Sequence, residues 1–369
     1  MSGAPGCDVA IVGGGLAGAA TAFFLSRARD VRVVVVEQER APAVHSSGRN
    51  AGLVRGASGD PELDALGREG AEFLRAPPAD FPGPRLFRRT GSYLLVARRD
   101  APRHAVAGAR LADVEEAARA VPGFRPDRDL VAIRSDDDGV ADGRVVVAGF
   151  LEGARARGTV VRFGGAVATV ETEGEAVAGL RLRDGTSLAA RVVVDAAGAW
   201  AGPLAATAGA DDPGLAPIRR HLLVTVPDPR VDADWPWIWD TVNGFYFRPE
   251  SGGLLMCACD ESVDVPGDCA TEPATIAAIS EKARRFLPDF AGLAAARAWA
   301  GHRTRRASGR FVLGEDARRR GLIWAAGLGG HGLTCAASVG RRVADAALAR
   351  LRGGADGSGE ASGAVAAGA

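Results

Sequence analysis

The stretch VAIVGGGLAGAATAFFL, Val9 to Leu25, constrains this chain more than any other. An apolar run, Val9–Val12, leads into Gly13-x-Gly15-x-x-Gly18, and Ala17, Ala20, Phe24 and Ala28 recur at helical spacing. A second valine-rich run, Val31–Val36, ends on Glu37. Strands buried on both faces of a parallel sheet read as continuous apolar runs, so the segment predicts strand, glycine turn, helix, strand. In such a unit Gly13 makes the tight turn, Gly15 lets the backbone approach a diphosphate, and Gly18 lets helix and strand pack closely. Leu16 and Ala17 open the helix whose positive end meets the phosphates. Glu37, with Gln38 beside it, is placed to accept from ribose hydroxyls, and an acid there argues against a bound 2′-phosphate. The unit predicts a dinucleotide site; a tight turn that serves packing alone is the plain alternative.

The residues after Glu37 bear on which dinucleotide is bound. The segment His45–Gly52, HSSGRNAG, offers hydroxyls, an arginine and small residues, as though the chain turned back along an extended ligand; its candidate contacts are His45, Ser46, Ser47, Arg49, Asn50, Ala51 and Gly52. Two more apolar strands end on small-residue turns. Val192–Asp195 runs into DAAGAWAG, with Ala197, Gly198 and Trp200 as contacts, and GLIWAA runs into GLGGHGLT, with Gly329, Gly330, His331, Gly332, Leu333 and Thr334. Val167, in the strand-rich stretch between them, is a further candidate. Three backbone approaches suit the length of FAD, and a helix starting at the last turn would stabilise negative charge on a reduced ring.

At 369 residues the chain exceeds the usual single core, so one large or two interleaved domains are expected. Forty-five basic residues balance forty-five acidic ones, which gives no field for nucleic acid or an anionic membrane. Five scattered cysteines fit a reduced, cytoplasmic compartment. No positively charged leader precedes Val9, and no run reaches membrane-spanning length. His221, His302 and His331 show no ligand spacing, so no metal is expected. The acidic run SDDDGVADG, Ser135–Gly143, reads as a solvated turn ahead of a helix at about Arg144–Arg157. FRRTGSYLLVA from Phe87 reads as a strand, LADVEEAARAV as a short helix, Pro273–Leu287 as another helix, and Gly353–Ala369 as a disordered tail.

Taken in order and spacing, VAIVGGGLAGAATAFFL, VVVVEQERAPAVHSSGRNAG, VVVDAAGAWA, WAGHRT and GLGGHGLT resemble the FAD-dependent D-amino-acid oxidase family, nearly to Leu351. VHSSGRNAG and DWPWIWDTVNGFYFRP are most similar to its D-arginine dehydrogenase branch. The resemblance implies an α/β fold: a Rossmann-type, glutathione-reductase-like FAD-binding domain (residues 1–84, 139–216 and 303–352) interleaved with an antiparallel-sheet substrate domain (85–138 and 217–302). It implies non-covalent FAD, because the HRTRRAS region lacks the cysteine that sarcosine oxidases use for attachment. By motif, Arg303 takes the place of the arginine that grips a substrate carboxylate and Tyr246 that of a tyrosine beside it. His45 stands where the branch has an active-site histidine, and Arg220 lies near a second substrate arginine.

The implied reaction is oxidative deamination of a D-amino acid to the 2-oxo acid, with hydride passing from the α-carbon to flavin N5. The amine must first lose a proton, to His45 or water, so activity should rise with pH. Two positions depart from the pattern. Ser92 stands where the arginine-preferring branch has a carboxylate. Val263 stands where sarcosine-oxidase-like members have a lysine over the flavin, and the one lysine, Lys282, is expected to face water. A dehydrogenase that passes electrons to a quinone or another carrier is therefore favoured over use of O2, in the cytoplasm or peripheral to the inner membrane. A glycine/sarcosine-type amine oxidase, a 2-hydroxy-acid dehydrogenase and a non-catalytic flavoprotein subunit are the alternatives. The tryptophans Trp235, Trp237 and Trp239 alternate as one strand face would, lining a substrate pocket or packing in a core.

Overall fold

A computed structural model describes residues 6–104 and 108–353. The expected disordered tail therefore lies, beyond Gly353, outside the described residues. The first strand, Cys7–Val12, runs parallel to Val33–Glu37 on one side and to Ser187–Asp195 on the other. Val160–Phe163 extends the sheet past Val33–Glu37, and Leu322–Ala326 extends it past Ser187–Asp195, both in parallel. Val9, Ala10 and Ile11 are fully buried, which is why the run contains no polar alternation. Ser187–Asp195 serves two sheets in succession: its first half closes an antiparallel meander with Val167–Glu173 and Ala176–Leu182, and its second half pairs with the parallel strands.

The helix Leu16–Leu25 is apolar on every side because it is covered on every side. It packs against Gly332–Gly353, where a methyl on Gly340 would overlap the backbone of Ala20, and against Gly143–Arg155, where a methyl on Gly153 would overlap the Phe23 ring. Phe23 sits among Phe24, Phe73, Phe81 and Phe150, all with ring centroids within 6.2 Å of its own.

The second large sheet has the order Ala295–Arg305, Ala216–Thr225, Gly253–Cys257, Phe245–Glu250, Trp237–Asp240, Ser92–Ala97, Leu130–Ser135, Ala109–Ala112. Its pairings are antiparallel except Trp237–Asp240 with Ser92–Ala97, which is parallel; these strands come from distant segments, so no hairpin dictates their direction. The fold is thus α/β with a mixed rather than purely antiparallel second sheet. Elements also cross the expected domain limits. Arg303 belongs to the second sheet, and Phe87–Arg89 joins Leu53–Val54 and Gly139–Ala141 in a small third sheet.

Other local expectations change in detail. FRRTGSYLLVA is two strands, divided at Gly91, whose φ of +70° turns the chain from the small sheet into the large one. LADVEEAARAV is helical only from Val114 to Ala120, because Ala109–Ala112 pairs with Leu130–Ser135 as the sheet edge. The later helices run Gly143–Arg155 and Pro273–Phe286.

Candidate active site

The carboxyl ends of the parallel strands gather the glycine turns at one edge of the sheet, where ligands of open α/β folds bind. Gly13 has φ +100°, and a methyl there would overlap the Ala196 carbonyl; a methyl on Gly18 would overlap the Gly13 carbonyl. Strand, turn and helix can close so tightly only on glycine. Glu37 holds this turn directly: its Oε2 accepts from Gly14 N–H at 2.7 Å and its Oε1 from Glu39 N–H at 2.9 Å. Ser47 Oγ accepts from Leu16 N–H at 2.9 Å, which seats the HSSGRNAG segment on the helix N-terminus.

A narrow cavity of about 130 Å³ opens along this edge, bordered by Gly13, Glu37, Gln38, His45, Val167, Ala197 and Trp200. It shares Gly15, Ser46, Ser47 and Gly198 with a wider chamber of about 340 Å³. The chamber takes one wall from Leu16, Ala17, Arg49, Asn50, Ala51 and Gly52, and another from the turn carrying Gly329, Gly330, His331, Gly332, Leu333 and Thr334. Gly18 lies beneath the turn, on neither wall.

The second sheet supplies the remaining wall. Opposed residues of an antiparallel pair share a face. The register Ile218↔Arg303 and Trp239↔Tyr246↔Cys257, with Arg220 and Leu222 at alternating positions, therefore puts these side chains on one side of the sheet. Arg303 Nη2 donates to Tyr246 Oη at 3.0 Å. Tyr246 is fully buried, and burial first of all raises its hydroxyl well above the ordinary value, so it stays protonated as a donor. Arg220 Nη2 donates to Glu261 Oε1 at 2.9 Å, while its Nε and Nη1 are buried without a partner.

Two residues, one on the chamber wall and one behind it, were not found from the sequence. Arg55, in an apolar stretch after the HSSGRNAG cluster, lays its guanidinium over the Trp239 ring at 4.5 Å and reaches His331 Nε2 at 2.8 Å. An arginine only donates, so His331 Nε2 accepts and the ring proton is on Nδ1, which has no partner. Burial, with Arg55 and Arg303 adding to it, pushes His331 down to about 3, so the ring is neutral. The second is Asp138, from the run read as solvated. It is buried, accepting Ser92 Oγ at 2.7 Å and Gly56 N–H at 3.0 Å, and burial raises its carboxyl despite those bonds. Asp136 and Asp137 do face solvent; Asp138 does not, because the chain turns inward at Gly139 to join the small sheet.

The FAD dependent oxidoreductase family, DAO, matches residues 8–346. The chain belongs to this family. It is 28% identical over 360 residues to the 4-methylaminobutanoate oxidase (formaldehyde-forming) of Paenarthrobacter nicotinovorans, covering 91% of this chain and 43% of that enzyme. This chain thus spans less than half the length of that relative. It is 31% identical over 166 residues to the glycine oxidase of Geobacillus kaustophilus, covering 44% of this chain and 41% of that protein. The crystal structure of glycine oxidase from that species matches at a TM-score of 0.79 with 24% identity, covering 93% and 95% of the two chains. L-proline dehydrogenase from P. horikoshii matches at 0.83 with 22% identity, covering 92% of each.

As a member of the family the protein binds FAD, and its residues fit that cofactor. Two adjoining cavities make an elongated site. The glycine turn and helix N-terminus would hold the diphosphate, Glu37 the ribose, and the Gly329–Thr334 turn, with its unpartnered His331 Nδ1–H, would border the ring. Several expected roles change. His45 is not with Arg303: it borders the narrow cavity, with Nε2 2.8 Å from Glu39 Oε1 and its ring 4.8 Å from that of Trp200, because Ser47 pins its segment to the first helix. Lys282 does not face water. It donates to the carbonyls of Asn243, Gly244 and Ala258 at 2.6, 2.7 and 3.1 Å. Val263 is 74% exposed and off the chamber wall. Of the three tryptophans only Trp239 lines the chamber; Trp235 packs on Phe290 and Trp237 donates to the Gly139 carbonyl.

His221, His302 and His331 are not gathered together. They pair respectively with Asp260, Asp264 and Arg55. Among the described residues Asp264, Cys269 and His302 bring their ligand atoms within 4.8 Å, but Arg219 Nη2 already holds Asp264 Oδ1 at 2.8 Å, where a cation would be needed. Among the described residues no helix is long and apolar enough to cross a membrane.

Proposed function

We propose that this protein oxidises the carbon–nitrogen bond of a small amine that carries a carboxylate, in the manner of a glycine- or N-alkylglycine-type oxidase. The observation that carries this reading is Arg303 on the chamber wall, beside the turn Gly329–Thr334 and held from behind by Tyr246. The guanidinium offers a planar fork of donors to a carboxylate, and Tyr246, buried behind the wall, accepts one Arg303 N–H and so fixes the direction of the fork. Two charge-assisted contacts fix the carboxylate and with it the orientation of the α-carbon. Bound FAD supplies a two-electron acceptor for the hydrogen leaving that carbon. Of the two histidines on the chamber wall, His331 cannot take the amine proton, because its basic nitrogen is held by Arg55, and His302 is paired with Asp264. Water accepts it instead, and the cationic wall lowers the amine's affinity for the proton in advance. The imine product is then hydrolysed by water.

The amine-oxidase reading is supported better than a D-amino-acid dehydrogenase of the arginine branch. Two of the relatives are named as oxidases of glycine and of a methylamino acid, and the chamber wall holds arginines where a cationic side chain would need carboxylates. Electron transfer to a carrier instead of O2 is the second reading. One observation favours it: the single lysine is committed to three carbonyls and so cannot assist O2 over the ring.

Anaerobic addition of glycine, N-methylglycine, D- and L-amino acids and 2-hydroxy acids, and then admission of air, tests both readings. Bleaching of the flavin by glycine or N-methylglycine, with rapid recovery and stoichiometric peroxide in air, is expected. Bleaching only by D-amino acids would overturn the substrate reading, and slow recovery without peroxide would select the carrier.

A further inference from the structure

The chamber wall carries five arginines, Arg49, Arg55, Arg220, Arg303 and Arg305, and one carboxylate, Glu261. Glu261 is shared by Arg220 and Arg305 at 2.9 and 2.8 Å, and Arg49 pairs with Asp268 at 2.6 Å. Among the described residues no carboxylate lies within ion-pair distance of the other two, Arg55 and Arg303. The acids nearest Arg55 are already satisfied elsewhere, Asp138 by Ser92 and Gly56 and Asp64 by the Ser58 hydroxyl at 2.7 Å. Arg55 and Arg303 stand at the two ends of one aromatic pair. Arg55 covers Trp239, Arg303 bonds the Tyr246 hydroxyl, and the two rings are 5.5 Å apart.

Two half-buried guanidiniums that face one cavity with no carboxylate between them are costly together, and desolvation, with the field of Arg303 second, pulls Arg55 down to about 10. A ligand with one negative charge neutralises one of them. A ligand with two neutralises both and gains a second fork of charge-assisted bonds. We propose that Arg55 is a specificity-determining residue for a second carboxylate, so that the preferred substrate is a dicarboxylate amine with an acid group on each side of the nitrogen. This rests on the amine-oxidising reading of the chamber and narrows it: Arg303, held by Tyr246, takes the carboxylate next to the carbon that is oxidised, and Arg55 takes the far one. Among the described residues the one acid on the wall, Glu261, is held by two arginines, so no free carboxylate there faces the dianion.

The test uses the FAD-loaded protein in two arms. In the first, anaerobic flavin reduction is monitored with iminodiacetate and with N-methylglycine, in the wild type and in Arg55→Met and Arg55→Lys. In the second, calorimetry gives the dissociation constants of thiodiacetate and methylthioacetate, which have the same carboxylates but no oxidisable amine. The second-order rate with iminodiacetate should exceed that with N-methylglycine by roughly 100-fold, the worth of one good charged contact. That ratio should collapse toward unity in Arg55→Met and recover in part in Arg55→Lys, and the ratio of the two dissociation constants should change in parallel. A wild-type ratio near one, or a ratio that Arg55→Met leaves intact, overturns the second-carboxylate site while leaving amine oxidation standing. Loss of FAD from Arg55→Met with the ligand ratio unmoved also overturns it, by assigning Arg55 to the cofactor. Tight thiodiacetate binding without reduction by any amine would instead uphold the site and sink amine oxidation.

Discussion

Arg303 and Tyr246 act as a unit because one positions the other. Arg303→Ala should lower kcat/KM for a carboxylate-bearing amine by about 2–5 kcal/mol of transition-state stabilisation, since a charged fork is lost and a buried hydroxyl loses its donor. Steady-state kinetics on matched acids checks this, and an amine without a carboxylate should show far less change. Asp195 makes a different prediction. Complete burial pushes its carboxyl up to about 7, opposed only by the Ala197 N–H, and Oδ2 has no partner. The folded value lies above the unfolded one of about 4, so the native state holds the extra proton between them. The stability this contributes is full below about pH 4 and is lost as pH rises through 7. Thermal melts at pH 6 and pH 8 should show the wild type weakening across that interval, and Asp195→Asn should remove that dependence. Composition alone predicts none of this. Asp195 reads as the end of a buried strand, and only its place in the sheet says that no cation comes near.

The elements divide by how local their causes are. The valine runs and the first glycine turn were legible because burial on both faces leaves a continuous apolar signature and because Gly13 and Gly18 are required by their own neighbours. Ala109–Ala112 was not legible as a strand: Arg110 and Leu111 are exposed, and it exists because Leu130–Ser135 offers an unpaired edge. Asp138 failed for a related reason, since one acidic residue of three turns inward where the backbone changes sheets. The last glycine turn shows how an element serves the site. Gly330 has φ +93°, and a methyl there would lie 3.1 Å from Arg303 Nη1 and 3.2 Å from its Cδ. Gly330→Ala should cost about 1–2 kcal/mol of stability through the left-handed backbone alone. It should also raise KM by displacing the guanidinium; chemical denaturation and initial rates measure the two effects separately.

At the scale of the molecule, the edge of one sheet and a face of the other enclose the narrow cavity and the chamber together. Ligand that binds only the folded form adds stability by mass action, about 2.7 kcal/mol at a hundred times its dissociation constant. FAD-stripped protein should therefore melt lower and recover on titration, and Glu37→Gln should need more FAD for the same recovery, because Glu37 holds the glycine turn and borders the narrow cavity. The family, the dinucleotide turn, the segments that border the two cavities and the Arg303 and Tyr246 motifs could all be read from the chain alone. Each depends on residues a few positions apart, where spacing dictates geometry. The tertiary structure alone decided that His45 stands apart from Arg303, that Lys282 is spent on carbonyls, and that Arg55 and His331, 276 residues apart, meet in the chamber. Pairings at that distance leave no local pattern, because what brings the two side chains together is the packing of sheets and helices.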